Sequence, residues 1–269
     1  MPPDPREELA EIIDQAVDYL SWMKADGVAE VEIAIGNGTP ARPPVRAAVP
    51  LDACPPRPAQ AFRPDEKLMK KEPATGQADP ELLNIAADIA GCKQCPLHQT
   101  RIQTVPGQGN PRPEIMFIGE APGADEDEQG LAFIGKAGQL LTKMIEAMGF
   151  TREEVFIANI AKCRPPGNRP PTPEEMATCL PFLRRQIAVI KPKVVVALGA
   201  VSVRGLLQNE TPISKVRGLW QEMDGIAVMP TFHPAYLLRN PPAKKEVWDD
   251  LQAVLKRLGR TPPPVRKAG

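Results

Sequence analysis

A chain of 269 residues, 42% of them hydrophobic, can bury one substantial core and still have length that need not fold. Its formal net charge of zero hides an asymmetry: residues 1–80 carry 9 basic and 14 acidic side chains, whereas residues 81–269 carry 24 and 19. The basic second part leaves nucleic-acid binding open, and the lack of any apolar run of about 18 residues excludes a membrane-spanning helix.

The first residues and the cysteines indicate a reducing compartment. Residues 1–14 are acidic and lack the charged-then-apolar layout of a secretory signal. The chain has five cysteines, an odd number, and Cys92 and Cys95 form a Cys-x2-Cys pair. Such a pair favours a metal site over disulfides. We therefore expect a cytoplasmic protein that holds a metal centre and has no part in a membrane.

The N-terminal 80 residues are predicted to lie outside the main core. Residues 1–38 contain a short amphipathic helix, over residues 6–25, and residues 39–80 form a linker with ten prolines between positions 40 and 80. Such a linker cannot bury enough apolar surface to offset the ordering of its backbone. We expect the helix and linker to dock a protein partner. Residues 81–260 should form the main domain, as a monomer, and residues 261–269 a disordered tail.

Four short apolar runs in the main domain predict strands, at residues 114–119, 155–159, 194–199 and 226–231. Runs of this length without alternation are typical of strands covered on both faces. Predicted helices separate these strands, at residues 137–148, 173–190 and 244–258. The second helix has Thr172 as its N-cap and Pro173 as its first helical residue. This alternation predicts the α/β class, as a three-layer α/β/α fold around a central four-stranded parallel sheet.

Polar side chains lie at or shortly after the end of each predicted strand, in the order Glu120, Asn159, Ser202 and His233. Ligands of open parallel sheets bind beyond the carboxyl ends of the strands, so the fold predicts that these residues share one edge. Each also fits a structural role. Glu120 begins a charged stretch of the kind that is usually solvated, Asn159 can satisfy a turn, and His233 can be a hydrogen-bonded core histidine. Four such strand ends together favour a functional site.

Four cysteines are candidate metal ligands: Cys92, Cys95, Cys163 and Cys179. Four thiolates can hold a zinc ion or an iron–sulfur cluster, and their spacing does not separate the two. Four buried apolar cysteines are the structural alternative. Cys54 lies in the proline-rich linker and is expected to be no ligand.

Four motifs of this sequence resemble the family 4 uracil-DNA glycosylases: GEAPG at 119–123, GLAFIGKAG at 130–138, NIAKCRPP at 159–166 and HPAYLLRN at 233–240. The likeness runs from about Ala90 to Leu258, in order and with compatible spacing. It implies a uracil-DNA glycosylase fold, a monofunctional hydrolase of N-glycosyl bonds that acts on uracil-containing DNA, and a [4Fe-4S] cluster on the four cysteines.

The resemblance also implies roles for the pocket residues. Phe133 would stack on a flipped uracil, Asn159 would read its O4/N3 edge, and His233 would donate a hydrogen bond near O2, where negative charge develops. Glu120, or a backbone carbonyl of residues 120–123, would position the water. Ala121 stands where better-studied uracil glycosylases carry an aspartate.

Glu120, Asn159 and His233 are thus the predicted catalytic residues, with Ala121, Gly123 and Phe133 also binding uracil. The acidic residues Asp125 and Asp127 remain alternatives for positioning the water.

DNA contacts are expected beside this pocket. Leu237, Leu238 and Arg239 follow His233, and an apolar wedge with an arginine would fill the gap left by a flipped base; packing of both leucines under the last helix is the alternative. Phosphate contacts are expected from the following residues: Lys136, Lys162, Arg164, Arg169 and Ser202. The cluster would then shape this surface.

Two other functions fit parts of the pattern. One is a related glycosylase that acts on another deaminated base or bonds covalently to the abasic product, although residues 214–223 lack the histidine expected of the covalent type. The other is a cluster-bearing nucleic-acid adaptor without catalysis, which would need none of the three pocket side chains Phe133, Asn159 and His233.

Overall fold

A mixed sheet of six strands forms the centre of residues 79–263, the part of the chain that the computed structural model describes. The strands are β1 (Gln108–Gly109), β2 (Ile115–Gly119), β3 (Phe156–Asn159), β4 (Val194–Leu198), β5 (Gln221–Met223) and β6 (Ile226–Thr231). Their order across the sheet is β1-β3-β2-β4-β6-β5. The four central strands are parallel, and β1 and β5 pair antiparallel at the two edges.

The predicted α/β class and parallel core are therefore confirmed, and the predicted number of strands is corrected from four to six. The two edge strands span only two and three residues. Segments this short contain too few residues to show a hydrophobic period, so the sequence pattern does not reveal them.

Helices cover the sheet on both faces. Their bounds are α1 (Pro80–Gly91), α2 (Ala124–Gln129), α3 (Lys136–Ala147), α4 (Pro173–Ile190), α5 (Ala200–Leu207), α6 (Ile213–Val216), α7 (Pro234–Arg239) and α8 (Lys244–Arg257). Short 3-10 turns lie at Pro96–Gln99, Pro166–Asn168 and Pro241–Ala243. None of the helices between residues 79 and 263 is long and apolar enough to cross a membrane.

Strand β2 shows how the two faces are built. Ile115 and Phe117 belong to the buried cluster that contains residues of α3, α7 and α8, whereas Met116 and Ile118 belong to the cluster with residues of α4 and α5. All four side chains are fully buried. Alternate residues of a strand point to opposite faces, so a run without polar positions forms the middle of a three-layer fold, as predicted.

The start of α4 follows directly from its sequence. The Thr172 side chain accepts a hydrogen bond from the Glu175 amide, and the Glu175 carboxylate accepts one from the Thr172 amide at 2.8 Å. This capping box satisfies two amides that the helix itself leaves without partners. The predicted start at Pro173 and end at Ile190 are both confirmed.

The predictions for the N-terminal helix, for the linker up to residue 78, for Cys54 and for residues 264–269 of the tail lie outside the described residues.

Candidate active site

Three of the predicted side chains meet at the carboxyl edge of the sheet. A Cβ atom added to Gly119, the last residue of β2, would overlap the Phe133 ring and lie 2.6 Å from the Oδ1 atom of Asn159. The ring centroids of Phe133 and His233 are 5.6 Å apart. Gly199, which follows β4 and has a φ angle of 87°, lies close to His233, since a Cβ added there would be 3.0 Å from the Cβ of His233. Only glycine fits at these two strand ends, and the space they leave is bordered by an aromatic ring, an amide and an imidazole.

Asn159 supplies a polar atom without a partner. Its side chain is 1% exposed, and within residues 79–263 its buried Oδ1 atom accepts no hydrogen bond. A buried polar atom left unpaired costs about 1–3 kcal/mol. Such atoms need an explanation, and a ligand that donates a hydrogen bond here is the simplest one.

His233 is held in one tautomer. It caps the N-terminus of α7, where its Nδ1 atom accepts a hydrogen bond from the Ala235 amide at 3.1 Å. Burial, together with a smaller effect of the positive charge of Arg239, lowers the pKa of His233 to about 4. The imidazole is therefore neutral near pH 7, and because Nδ1 is an acceptor, its proton resides on Nε2.

Glu120 lies where β2 ends, in a partly buried position. Burial raises the pKa of its carboxyl group above the ordinary value, and the nearby charge of Arg204 opposes that shift. The backbone carbonyl of Glu120 accepts a hydrogen bond from the Ala161 amide at 3.0 Å, which joins this loop to the end of β3. The Glu120 carboxyl group and the backbone carbonyls of residues 120–123 both remain candidates for positioning the water.

Two buried acidic residues beside the pocket organise its loops, a role that the sequence pattern did not reveal. The Glu126 carboxylate accepts hydrogen bonds from the amides of Gly123 (3.0 Å), Ile134 (2.9 Å) and Gly135 (3.0 Å). The Asp127 carboxylate accepts one from the Ile102 amide at 3.0 Å. A glutamate at the third position of a helix is a capping signal that could have identified Glu126. Asp127 is 1% exposed and engaged, so it is no candidate for positioning water.

Phe133 adopts a backbone conformation that is rare for its type. Its φ angle is 53°, in the left-handed region, which costs on the order of 1–3 kcal/mol for a residue with a side chain. The Arg152 guanidinium donates to the preceding carbonyl of Ala132 at 2.8 Å. A Cβ at Gly138 would overlap the Phe133 carbonyl, so helix α3 packs closely against this turn. Surrounding contacts therefore fix the strained turn.

The four predicted metal ligands, Cys92, Cys95, Cys163 and Cys179, line one recess of about 300 Å³, counting the part open to solvent. An Arg101 guanidinium nitrogen lies 3.0 Å from the Cys163 sulfur, and the Lys162 amide lies 3.2 Å from the Cys179 sulfur. Donors aimed at sulfur are typical of iron–sulfur sites.

Four thiols around one recess are a donor set that suits either a zinc ion or an iron–sulfur cluster. Zinc would need all four sulfurs about 2.3 Å from one point, whereas a cluster would spread them around a larger body.

This recess borders the pocket loop. Ala121, Leu97, Ala161 and Cys163 pack in one small cluster, and Cys95 contacts it. The pocket loop and the cysteine recess therefore share a packing contact through Ala121.

Two of the predicted phosphate contacts are wrong. Lys162 is 1% exposed, and its ammonium group donates to Gln186 Oε1 at 2.7 Å. Ser202 is fully buried, and its hydroxyl donates to the Gly199 carbonyl at 2.8 Å. Charged and hydroxyl groups whose partners lie inside the protein cannot reach DNA, so both side chains support the fold instead.

The remaining predicted DNA contacts lie at or near the surface. Lys136 and Arg239 are exposed, and Arg164 is partly buried, with its Nε atom bonded to Asn168 Oδ1 at 2.7 Å. Leu237 is 1% exposed and packs in the core, whereas Leu238 is 46% exposed. The structure thus separates the two leucines and leaves Leu238 alone as the candidate wedge. Arg169 is paired with Glu175 at 2.7 Å, where it supports the cap of α4.

Comparisons with known proteins match this part of the chain. The sequence profile described as the uracil DNA glycosylase superfamily matches residues 106–252. The type-4 uracil-DNA glycosylase of Sulfurisphaera tokodaii is 45% identical over 190 residues, which cover 67% of this chain and 86% of that protein. The type-4 uracil-DNA glycosylase of Thermotoga maritima is 48% identical over 165 residues, covering 60% and 85%. That of Saccharolobus solfataricus is 44% identical over 187 residues, covering 66% and 87%. The profile match includes Phe133, Asn159 and His233.

Proposed function

The chain belongs to the uracil-DNA glycosylase superfamily and to its type-4 members, and on this premise we propose that it removes uracil from DNA by hydrolysing the N-glycosidic bond, which leaves an abasic site. The observation that carries the proposal is the unpaired Oδ1 atom of buried Asn159, beside an aromatic ring and a neutral imidazole.

Recognition of uracil follows from the Asn159 amide. Uracil within a duplex is stacked, so the nucleotide must flip into the pocket, where the Phe133 ring offers a face for stacking. The Oδ1 atom of Asn159 accepts the N3 proton of uracil, and its Nδ2 group donates to O4. Cytosine has an acceptor at N3 and a donor amino group at C4, the reverse of uracil. In the pocket it would place two acceptors together at N3 and two donors together at C4.

Stabilisation of the leaving group falls to His233. As the glycosidic bond breaks, negative charge develops on the uracil O2 atom. A neutral imidazole with its proton on Nε2 donates a hydrogen bond to that oxygen, and its other nitrogen is fixed by the Ala235 amide. A donor in place before the charge develops needs no reorganisation.

Glu120 is assigned as the residue that positions the water that attacks C1′. Burial raises the pKa of its carboxyl group, which can accept a proton from that water once ionised. Ala121, the next residue, has no carboxylate. If the glycosidic bond breaks largely before the water attacks, stabilisation of the uracil anion outweighs base strength, and a weak base suffices.

The four cysteines would hold a [4Fe-4S] cluster: Cys92, Cys95, Cys163 and Cys179. When bound, the cluster supplies a rigid covalent tie between the segment before β2, the loop after β3 and helix α4. Its ligand Cys163 belongs to the small apolar cluster against which Ala121 packs, so the bound group would support the pocket loop.

DNA would be held by side chains around the pocket mouth. Lys136, Arg164 and Arg239 supply positive charge for phosphates, and the exposed Leu238 fills the space vacated by the flipped base. A monomer would be the catalytic unit. Residues 1–78 would serve a protein partner, and the reducing conditions that cluster cysteines need support a cytoplasmic location.

The test is excision from oligonucleotides that carry a single uracil, in single-stranded and duplex form. We expect alkali-labile cleavage at uracil and none at cytosine or thymine in matched strands. Binding of DNA without cleavage would contradict the proposal and favour a nucleic-acid adaptor. Cleavage at another deaminated base but not at uracil would contradict the substrate.

A further inference from the structure

We propose that Glu126 and Arg152 are positioning residues that together fix the Phe133 turn and join the two walls of the uracil pocket. The inference rests on the proposed function, since Phe133 is assigned there as the surface on which uracil stacks. Glu126 holds backbone amides, and Arg152 holds a backbone carbonyl and the Thr142 hydroxyl, so both act on Phe133 through its turn.

Glu126 links two segments that are separate along the chain. One carboxylate oxygen accepts the Gly123 amide at 3.0 Å, within the loop that follows Glu120. The other accepts the amides of Ile134 at 2.9 Å and Gly135 at 3.0 Å, directly after Phe133. Glu126 is 9% exposed. All three donors are backbone amides, so they can move away from the carboxylate only if their loops move.

This hydrogen-bond pattern needs a carboxylate. Both oxygens of an ionised glutamate accept hydrogen bonds, whereas a glutamine has one oxygen and an amino group that only donates. A glutamine here would point its amino group either at the Gly123 amide or at the Ile134 and Gly135 amides. Two donors would then face each other in a buried space, although size and shape are nearly unchanged.

Arg152 holds the opposite side of the turn. Its guanidinium donates to the Ala132 carbonyl at 2.8 Å and to the Thr142 hydroxyl at 3.0 Å, which ties the turn to helix α3. The residues before and after Phe133 are therefore both anchored. The left-handed backbone of Phe133 persists because these anchors and the close approach of Gly138 determine it.

The proposal predicts a defect in the chemical step with DNA binding preserved. Glu126→Gln should lower the single-turnover excision rate by about 10- to 100-fold, since a misplacement of about 1 Å has effects of this size. The affinity for an oligonucleotide with an abasic site should stay within about twofold, because the candidate phosphate contacts lie elsewhere. Iron content should be unchanged.

The matched control is Glu128→Gln, which removes the same charge from an exposed position of the same helix. It should excise uracil at the wild-type rate.

A double-mutant cycle separates positioning from general stabilisation. If Glu126 acts through Phe133, Glu126→Gln should change the rate by less than about threefold when Phe133→Ala is already present. Independent, multiplying losses would overturn the proposal, as would a wild-type rate for Glu126→Gln. Should Glu126→Gln not fold, Arg152→Lys takes its place in the same cycle. It keeps the charge and loses the planar fork, and the same coupling to Phe133 is expected.

Hydrogen exchange tests the positioning without reference to activity. In Glu126→Gln the amides of Gly123, Ile134 and Gly135 should exchange about tenfold faster or more, while those of the central strands keep their protection. Unchanged exchange at Ile134 and Gly135 overturns the proposal. If wild type and Glu128→Gln excise no uracil, the proposed function fails, and exchange still decides whether Glu126 holds the turn.

Discussion

The protonation state of His233 leads to a prediction about how the excision rate depends on pH. With a pKa of about 4, roughly one molecule in a thousand would carry the imidazolium at pH 7, whereas an ordinary histidine would be about one quarter protonated. The active donor is therefore the neutral ring throughout the range from pH 5 to 8. We expect no inflection near pH 6.5.

The plot of excision rate against pH should instead show an acid limb, that is, a fall in rate towards low pH. Burial raises the pKa of Glu120 above its ordinary value, so the rate should fall as the pH drops through that raised pKa and the carboxylate gains a proton. Glu120→Gln should remove this limb and give a flat, lower profile. Because a base must be ionised to orient water, the direction of the limb is fixed: activity is lost towards acid.

The size of the His233 contribution follows from its role as a donor to a developing charge. His233→Ala should lower the rate by about 10² to 10³, which corresponds to roughly 2.7–4 kcal/mol, by the same factor from pH 5 to 8. His233→Gln retains an N–H donor and should recover part of the loss.

The assay is single-turnover excision of uracil from a single-stranded oligonucleotide, with enzyme in excess, quenched at set times and cleaved with alkali. Single-stranded substrate removes base-pair opening from the pH dependence. A wild-type rate that falls above pH 6.5, with that fall absent from His233→Ala, would refute the reasoning, because the imidazolium would then be the active form.

Three further predictions concern the pocket, the cysteines and the DNA surface. Asn159→Ala should cost about 1–3 kcal/mol in transition-state binding, and Asn159→Asp should allow excision of cytosine; strict uracil specificity in both variants, measured on paired uracil and cytosine oligonucleotides, would contradict this role. Purified protein should be brown with about four irons per chain, and Cys95→Ser should lose the iron whereas Cys54→Ser keeps it; stoichiometric zinc without iron in anaerobically prepared protein would exclude the cluster. Leu238→Ala should slow excision from duplex DNA more than from single strands, and equal losses on both substrates would argue against a wedge.

Much of this fold is determined by local sequence. Helix α4 begins at Pro173 because Thr172 and Glu175 satisfy the first amides of the helix, a pattern within four residues. The central strands can be predicted because each is covered on both faces and consists of apolar residues up to its last positions. Asn159 and His233 are predictable because the first ends its strand and the second lies two residues after its strand, and parallel strands bring their carboxyl ends to one edge.

Other features depend on partners far away in the sequence, and these only the tertiary structure decided. Lys162 looks like a phosphate ligand beside Arg164, but Gln186, 24 residues later, holds its ammonium inside the protein. Leu237 and Leu238 are identical neighbours in the sequence. In the structure Leu237 packs in the core under α7, whereas Leu238 is exposed to solvent.

The acidic run after GEAPG illustrates the same physical limit. Charge runs are usually solvated, yet Glu126 is buried because three backbone amides from two loops converge on its carboxylate. Local sequence determines which backbone shape a segment prefers. The local pattern can therefore mark Glu126 as a helix-capping residue through the Gly123 amide, but it does not show that the Ile134 and Gly135 amides of a second loop bury its carboxylate.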